Sequence, residues 1–170
     1  DFRLPFGTWV DYWNEQRTVS GEVVGEPVPL GREPVFLRLG AIIPLEVQRD
    51  YTGHGTRESA GSLTVLVYPN GTTSFRYYEA ATAVWTTFTS VRSGTSITLD
   101  AVPGPTVPIL YRIGRVTSRP NAVGIEGGTV RVNQSGDLPE VGSEAAVNGS
   151  TTSAWFYDAP ARRLIVKLVR

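Results

Sequence analysis

The chain has 170 residues, enough for one domain or somewhat more, and its 16 basic residues balance its 16 acidic ones. A net charge of zero gives no electrostatic attraction to nucleic acid or to an anionic membrane, so neither is predicted as a partner. The sequence has no Cys, which excludes disulfides and thiolate metal sites, and no apolar run approaches the ~20 residues that span a bilayer. We therefore expect a soluble protein, either cytoplasmic or secreted.

The first 48 residues predict a small β-sheet unit. They contain short aromatic or branched runs closed by Pro and Gly, which read L-P-F-G-T-W-V-D-Y-W at 4–13 and P-V-F-L-R-L-G-A-I-I-P-L at 34–45. Residues 49–61 are polar, contain three Gly and show no alternation, so they predict a linker.

Residues 62–170 predict an antiparallel β-sandwich. The run 63–68 is apolar on both faces, as in a central strand, and Asn70-Gly71 then predicts a tight hairpin to a returning strand at 72–78. More strands are indicated near 97–99, 107–113 and 130–132, and a closing hairpin joins 155–157 to 164–169. The predicted class is all-β, a β-sandwich with a smaller, incomplete N-terminal sheet unit.

No catalytic constellation is predicted. His54 is the only His and lies in the polar linker, and no G-x-S-x-G elbow exists. Each carboxylate considered for acid–base work lies at a turn or strand end, where structural roles are common; these are Asp11, Glu15, Glu79, Asp100 and Asp158. Without Cys or a second His, oxygen ligands alone remain, and no calcium-loop motif is present. We predict no catalytic residue, no metal site and no cofactor.

Aromatic side chains offer a second kind of site, because sugars have apolar C–H faces that stack on exposed rings. Alternation along 72–78 puts Phe75 and Tyr77 toward the core and Arg76 and Tyr78 on the opposite face. Trp85 follows a loop of small residues. The predicted carbohydrate-binding candidates are Arg76, Tyr78, Glu79 and Trp85. The alternative interpretation is that these rings are packed, as large aromatics usually are.

The two N-terminal motifs resemble the proximal C-terminal β-sandwich of glycoside hydrolase family 31, the α-glucosidase and α-xylosidase family. The first motif is matched by Leu4, Pro5, Gly7, Trp9, Val10, Asp11 and Trp13. The second is matched by Pro34, Val35, Phe36, Arg38, Gly40, Ile42, Ile43, Pro44 and Leu45. The resemblance implies that Trp9 and Trp13 pack in a core or against a neighbouring domain.

The remaining chain resembles the distal C-terminal sandwich of the same family. The matching positions are Leu63, Val65, Tyr68, Pro69, Gly71, Phe75, Tyr78 and Glu79, together with the segments 155–159 and 164–168. The match departs at Ala80 and Ala81, where the family usually has two acidic residues, and at Thr82 in place of Gly. A metal or sugar contact that depends on those carboxylates is therefore not expected here.

The resemblance implies a function without catalysis. The family's catalytic aspartates lie in a (β/α)8 barrel that precedes these sandwiches, so we expect a truncated first unit and a fragment of a longer retaining α-glycoside hydrolase. The expected role is an accessory region that packs on that barrel and stabilises it. The alternative is a carbohydrate-binding module whose partner is an oligosaccharide.

Overall fold

The computed structural model describes residues 1–23, 25–26, 29–47 and 57–169, with Glu22 described by its backbone alone. The described residues form fifteen strands, one short helix and a 3-10 turn at Arg57–Ser59. The elements are β1 (Phe2–Arg3), β2 (Trp9–Asp11), β3 (Thr18–Val19), β4 (Glu22–Val23), β5 (Phe36–Arg38), β6 (Ile42–Leu45), β7 (Leu63–Val67), β8 (Thr72–Glu79), β9 (Val84–Ser93), β10 (Ser96–Val102), β11 (Ile109–Ile113), β12 (Val123–Glu126), β13 (Thr129–Val132), α1 (Glu144–Gly149), β14 (Ala154–Asp158) and β15 (Arg163–Leu168). The predicted all-β class is confirmed.

Two five-stranded sheets form a sandwich. The first sheet has the order β12-β13-β10-β9-β8 and the second the order β14-β15-β11-β7-β6. Their facing side chains form one apolar core, in which Phe88 and Leu99 of the first sheet join Val65, Tyr111 and Val166 of the second. Strands alternate between this core and the outside, which is the period-2 pattern that the sequence shows.

The N-terminal segment forms a three-stranded sheet, β3-β2-β5, and a two-stranded ribbon, β1-β4. β6 lies within residues 1–48 but pairs with β7, so it completes an edge of the sandwich. The division into units at 48 and 62 stays a prediction. Residues 49–56 of the predicted linker, which include His54, fall outside the described part of the chain.

The predicted hairpin at Asn70-Gly71 is wrong. The turn exists, and Gly71 has the positive φ of 62° that such turns need. However, β7 already has β6 on one edge and β11 on the other, so no edge is free to receive β8. The chain instead crosses to the opposite sheet, where β8 pairs with β9. A turn sequence determines that the chain reverses locally, but it does not determine which strand the next strand pairs with.

Two further features depart from the sequence prediction. β7 and β11 pair in parallel, although the other strand pairs described are antiparallel. Helix α1 was not predicted, and it is only about one and a half turns long. Ser143 caps its N-terminus: the Ser143 hydroxyl accepts a hydrogen bond from the Ala146 amide at 3.2 Å. No helix in the described residues has the length and apolarity to cross a bilayer.

The outer face of the second sheet is covered at both ends. Leu66 and Tyr68 of the β7 region pack under Val10 of the N-terminal sheet. At the other end, Leu110 and Ile165 pack under Val147 of α1. Residues 63–68 are apolar on both faces because Val65 faces the sandwich core, whereas Leu66 and Tyr68 face the N-terminal sheet.

Candidate functional site

Three of the four predicted carbohydrate-binding residues come together on the outer face of the first sheet. Tyr78 of β8 lies directly opposite Trp85 of β9 in the antiparallel register. Their ring centroids are 5.0 Å apart and the ring planes are tilted by 46°. The two side chains are 46% and 49% exposed. Cross-strand neighbours on one face of a sheet are normally in contact, and here both rings keep a solvent-facing surface.

Arg76 completes this group, which we call the aromatic platform: Arg76, Tyr78 and Trp85. The Arg76 guanidinium carbon lies 4.6 Å from the centroid of the Trp85 ring, a cation–π distance. Within the described residues, Arg76 forms no ion pair. Arg76 is itself exposed, so its N–H donors are accessible from solvent beside the two rings.

Glu79 does not join the platform. It is the next residue after Tyr78, so alternation turns its side chain to the opposite face, where it is buried. Its carboxylate accepts hydrogen bonds from the hydroxyls of Thr82 and Thr106, each at 2.7 Å. These bonds, with the Thr106 hydroxyl first, lower the pKa of Glu79 below its ordinary value. The arrangement holds the loop before β9 against the segment that leads into β11.

A cleft of about 520 Å³ lies beside Glu79, lined among others by Glu46, Tyr77, Ala80 and Ala81. Burial, together with the charges of Glu46 and Glu79, raises the pKa of Tyr77. The two alanines stand where the resembled family usually has acidic residues. No group of three or more His, Cys, Asp or Glu side chains is suitably placed for a metal among the residues described.

Phe75 is less buried than predicted. It shares the core-facing side of β8 with Tyr77, yet it is 44% exposed. β8 is the edge strand of its sheet, so one flank of Phe75 has no neighbouring strand to cover it. The Phe75 ring is therefore partly exposed at the edge of the first sheet, on the opposite face from the aromatic platform.

The sequence analysis missed a buried charged junction between the N-terminal segment and the sandwich. The Glu15 carboxylate pairs with Arg163 of β15 through two contacts, at 3.0 and 3.1 Å, and accepts from the Tyr68 hydroxyl at 3.1 Å. Burial and the Glu15 charge raise the pKa of Tyr68. The spacing of 148 residues between Glu15 and Arg163 leaves no local signal that would have revealed the pair.

Arg112 of β11, the central strand of the second sheet, lies on the outer face of that sheet and is almost fully buried. It pairs with Glu144 of α1. Burial, reinforced by the nearby Arg163 charge, lowers the pKa of Arg112 to about 10. The Arg112–Glu144 pair ties β11 to α1, and the Glu15–Arg163 pair ties the N-terminal segment to β15, which are structural tasks. The buried Nε of Arg112 has no hydrogen-bond partner among the described residues.

Trp9 and Trp13 have polar contacts that fix their orientation. The indole N–H of Trp9 donates to the Pro5 carbonyl at 2.9 Å, and that of Trp13 donates to the Glu33 carbonyl at 2.7 Å. Trp13 is about two-fifths exposed, with the Arg32 guanidinium 5.0 Å from its ring centroid. The predicted packing of Trp13 against a neighbouring domain stays a prediction.

No protein-family model matches the chain. Its sequence is 26% identical over 169 residues to an isomaltosyltransferase from Sporosarcina globispora, in an alignment covering 97% of this chain and 14% of that enzyme. It is 36% identical over 83 residues to a 1,6-α-glucosyltransferase from the same organism, covering 46% of this chain and 6% of that enzyme.

Several solved structures match nearly the whole chain, and two of them represent different enzymes. One is a cycloalternan-forming enzyme from Listeria monocytogenes, with a TM-score of 0.79 and 23% identity, covering 99% of this chain and 15% of that enzyme. The other is a GH31 dextranase from Flavobacterium johnsoniae, with a TM-score of 0.71 and 22% identity. The chain has the fold of one region of a GH31 enzyme. The resemblance to glycoside hydrolase family 31 is thereby confirmed at the level of the fold. The chain spans 22% of the GH31 dextranase.

Proposed function

We propose that the chain is a non-catalytic accessory β-sandwich region of a family 31 α-glycosidase, and that it packs on the enzyme's catalytic (β/α)8 barrel and stabilises it. One observation carries the proposal: alignments that use 97–99% of this chain use only 14–22% of enzymes that act on glucans. The described residues form β-sheets and one short helix, with no barrel among them.

Exposed apolar side chains in the N-terminal segment support a partner surface there. Phe6 is 97% exposed and Leu30 is fully exposed. Full burial of one such side chain stabilises an interface by about 1.5–3 kcal/mol. A surface of the barrel is the proposed neighbour of these two side chains.

The test compares the chain alone with the chain joined to the barrel. The double variant Phe6→Ser, Leu30→Ser is expected to lower the Tm of the joined enzyme by several degrees, because two apolar contacts are lost. The same substitutions are expected to leave the Tm of the isolated chain unchanged, since both side chains are already solvated there. Thermal unfolding followed by calorimetry measures both.

A matched control is Val102→Ser, which removes another exposed apolar side chain, this time from β10. We expect this substitution to change the Tm of neither the isolated chain nor the joined enzyme. An equal Tm for the joined enzyme with and without the Phe6 and Leu30 substitutions would remove the support that this surface gives.

A second function, carbohydrate binding, is favoured by a separate observation. The aromatic platform exposes two adjacent rings beside the guanidinium of Arg76, which is exposed and forms no ion pair with the other residues described. Several of the similar enzymes were solved with sugars, including glucose and a pentasaccharide. An oligosaccharide is accordingly the proposed ligand of this second function, and glucose-based α-glucans are the first to test.

A further inference from the structure

The face that carries the aromatic platform is hydroxyl-rich and balanced in charge. Alternation over β8, β9 and β10 turns every second residue outward, and the register aligns them in rows. The outward residues are Thr72, Ser74, Arg76, Tyr78, Trp85, Thr87, Thr89, Val91, Ser93, Ser96, Thr98, Asp100 and Val102. Their only charges are one Arg and one Asp. Such a face has no net attraction for an anion or a cation, so it suits a neutral polyhydroxylated ligand.

The rings lie at one end of this face and are the only aromatic side chains on it. A pyranose ring presents a face of C–H groups, whose partial positive charge is attracted to the negative face of an aromatic ring. The centroid separation of 5.0 Å is close to the length of one sugar unit, so consecutive units can meet consecutive rings. The hydroxyls of Thr87 and Thr89 continue in the next rows of β9 and offer both donors and acceptors.

The tilt between the rings discriminates between kinds of sugar chain. Two coplanar rings match a flat, ribbon-like β-1,4-linked chain, whose successive units lie in one plane. Tyr78 and Trp85 are inclined by 46°, so they match a chain that turns between units, as α-linked glucans do. Arg76 packs against Trp85 and is exposed, so its N–H donors can reach the hydroxyls of a sugar unit that lies beside the rings.

We propose that this face binds a neutral α-linked gluco-oligosaccharide, with Tyr78 and Trp85 as stacking surfaces and Arg76 as a hydrogen-bond donor beside them. The proposal rests on the carbohydrate-binding function and is independent of the accessory role. Glu79, on the opposite face, has no part in it.

Titration calorimetry of the 170-residue chain with isomaltotetraose and maltotetraose tests the proposal, with cellotetraose and β-1,4-mannotetraose as the flat-chain comparison. We expect saturable binding of at least one α-linked sugar at millimolar concentration and binding of the flat sugars that is about tenfold weaker or absent. Trp85→Ala and Tyr78→Ala are each expected to weaken binding about tenfold or more. Val91→Ala, on the same strand and face but remote from the two rings, and Trp13→Phe, at a different cation–π pair, are expected to leave binding unchanged.

The possible outcomes distinguish between the carbohydrate-binding function, the binding site and the class of ligand. No heat with any sugar overturns the carbohydrate-binding function and this proposal with it. Binding that survives both Trp85→Ala and Tyr78→Ala keeps that function but overturns the site. Equal binding of flat and α-linked sugars overturns the ligand class. Circular dichroism of the two variants verifies folding, which both exposed substitutions are expected to preserve.

Discussion

Glu79, one of the carboxylates considered for acid–base catalysis, has a structural role as a hydrogen-bond acceptor. Its carboxylate is surrounded by two threonine hydroxyls and the Thr106 amide, which also lies within hydrogen-bonding distance at 3.3 Å. Every one of these groups donates to the charged form, so the protein stabilises the anion. A carboxylate held this firmly as an acceptor is a poor proton donor at neutral pH.

We predict that Glu79→Gln destabilises the chain at pH 7 by about 1.5–3 kcal/mol, since hydrogen bonds to a charged acceptor are lost or weakened. Because the folded pKa of Glu79 is below its ordinary value of 4.5, its contribution is complete above about pH 4.5 and is lost as pH falls through the folded pKa. Urea unfolding at a series of pH values measures this.

The variant and the wild type should converge in stability toward acid pH. Asp137→Asn, at an exposed loop carboxylate, serves as the control and should show little difference at any pH. A stability gap for Glu79→Gln that is the same at pH 3 and pH 7 would contradict the role given to the charge.

At the scale of elements, the sandwich is joined to its N-terminal segment by the Glu15 junction. The guanidinium of Arg163 forms a bidentate pair with the Glu15 carboxylate, and both side chains have little exposure to solvent. Arg112 lies close to this pair. Removing the Glu15 carboxylate leaves the largely buried Arg163 charge without its counter-ion. The desolvation cost already incurred by Arg163 is then no longer offset.

Glu15→Ala is therefore expected to destabilise the chain by about 3–5 kcal/mol. The matched control is Glu126→Gln, which breaks the Arg131 pair at 2.7 Å on a side chain that is 74% exposed, and about 0–1 kcal/mol is expected there. Denaturant unfolding compares the two. A loss for Glu15→Ala no larger than that of the control would show that the junction is not a tie between the segments.

Strand pairing marks the limit of what local sequence patterns determine. The period-2 pattern and the turn residues located β14 and β15 and predicted their hairpin correctly. The same reasoning failed at Asn70-Gly71, because pairing depends on which edges of β7 are already occupied by distant strands. Helix α1 was missed because its stability comes from Val147 packing on the sheet rather than from a long periodic pattern.

For the whole molecule, ordered motifs carried more information than composition did. The spacing of Pro, Gly and aromatic residues at 4–13 and 34–45 led to the GH31 fold, which the solved structures confirm. The sequence placed Arg76 and Tyr78 on one face by alternation, and the structure adds Trp85 through the register of β8 and β9. Glu79 was grouped with them by adjacency alone, and adjacency in a strand means opposite faces.

The central claim is that this chain is a scaffold without a catalytic centre of its own. The most direct measurement is the turnover of an aryl α-glucoside by the purified 170-residue chain, followed by release of the coloured phenol over many hours. The account predicts no release above that of buffer. Release that disappears on replacing Asp11, Glu15, Glu79, Asp100 or Asp158 would contradict it.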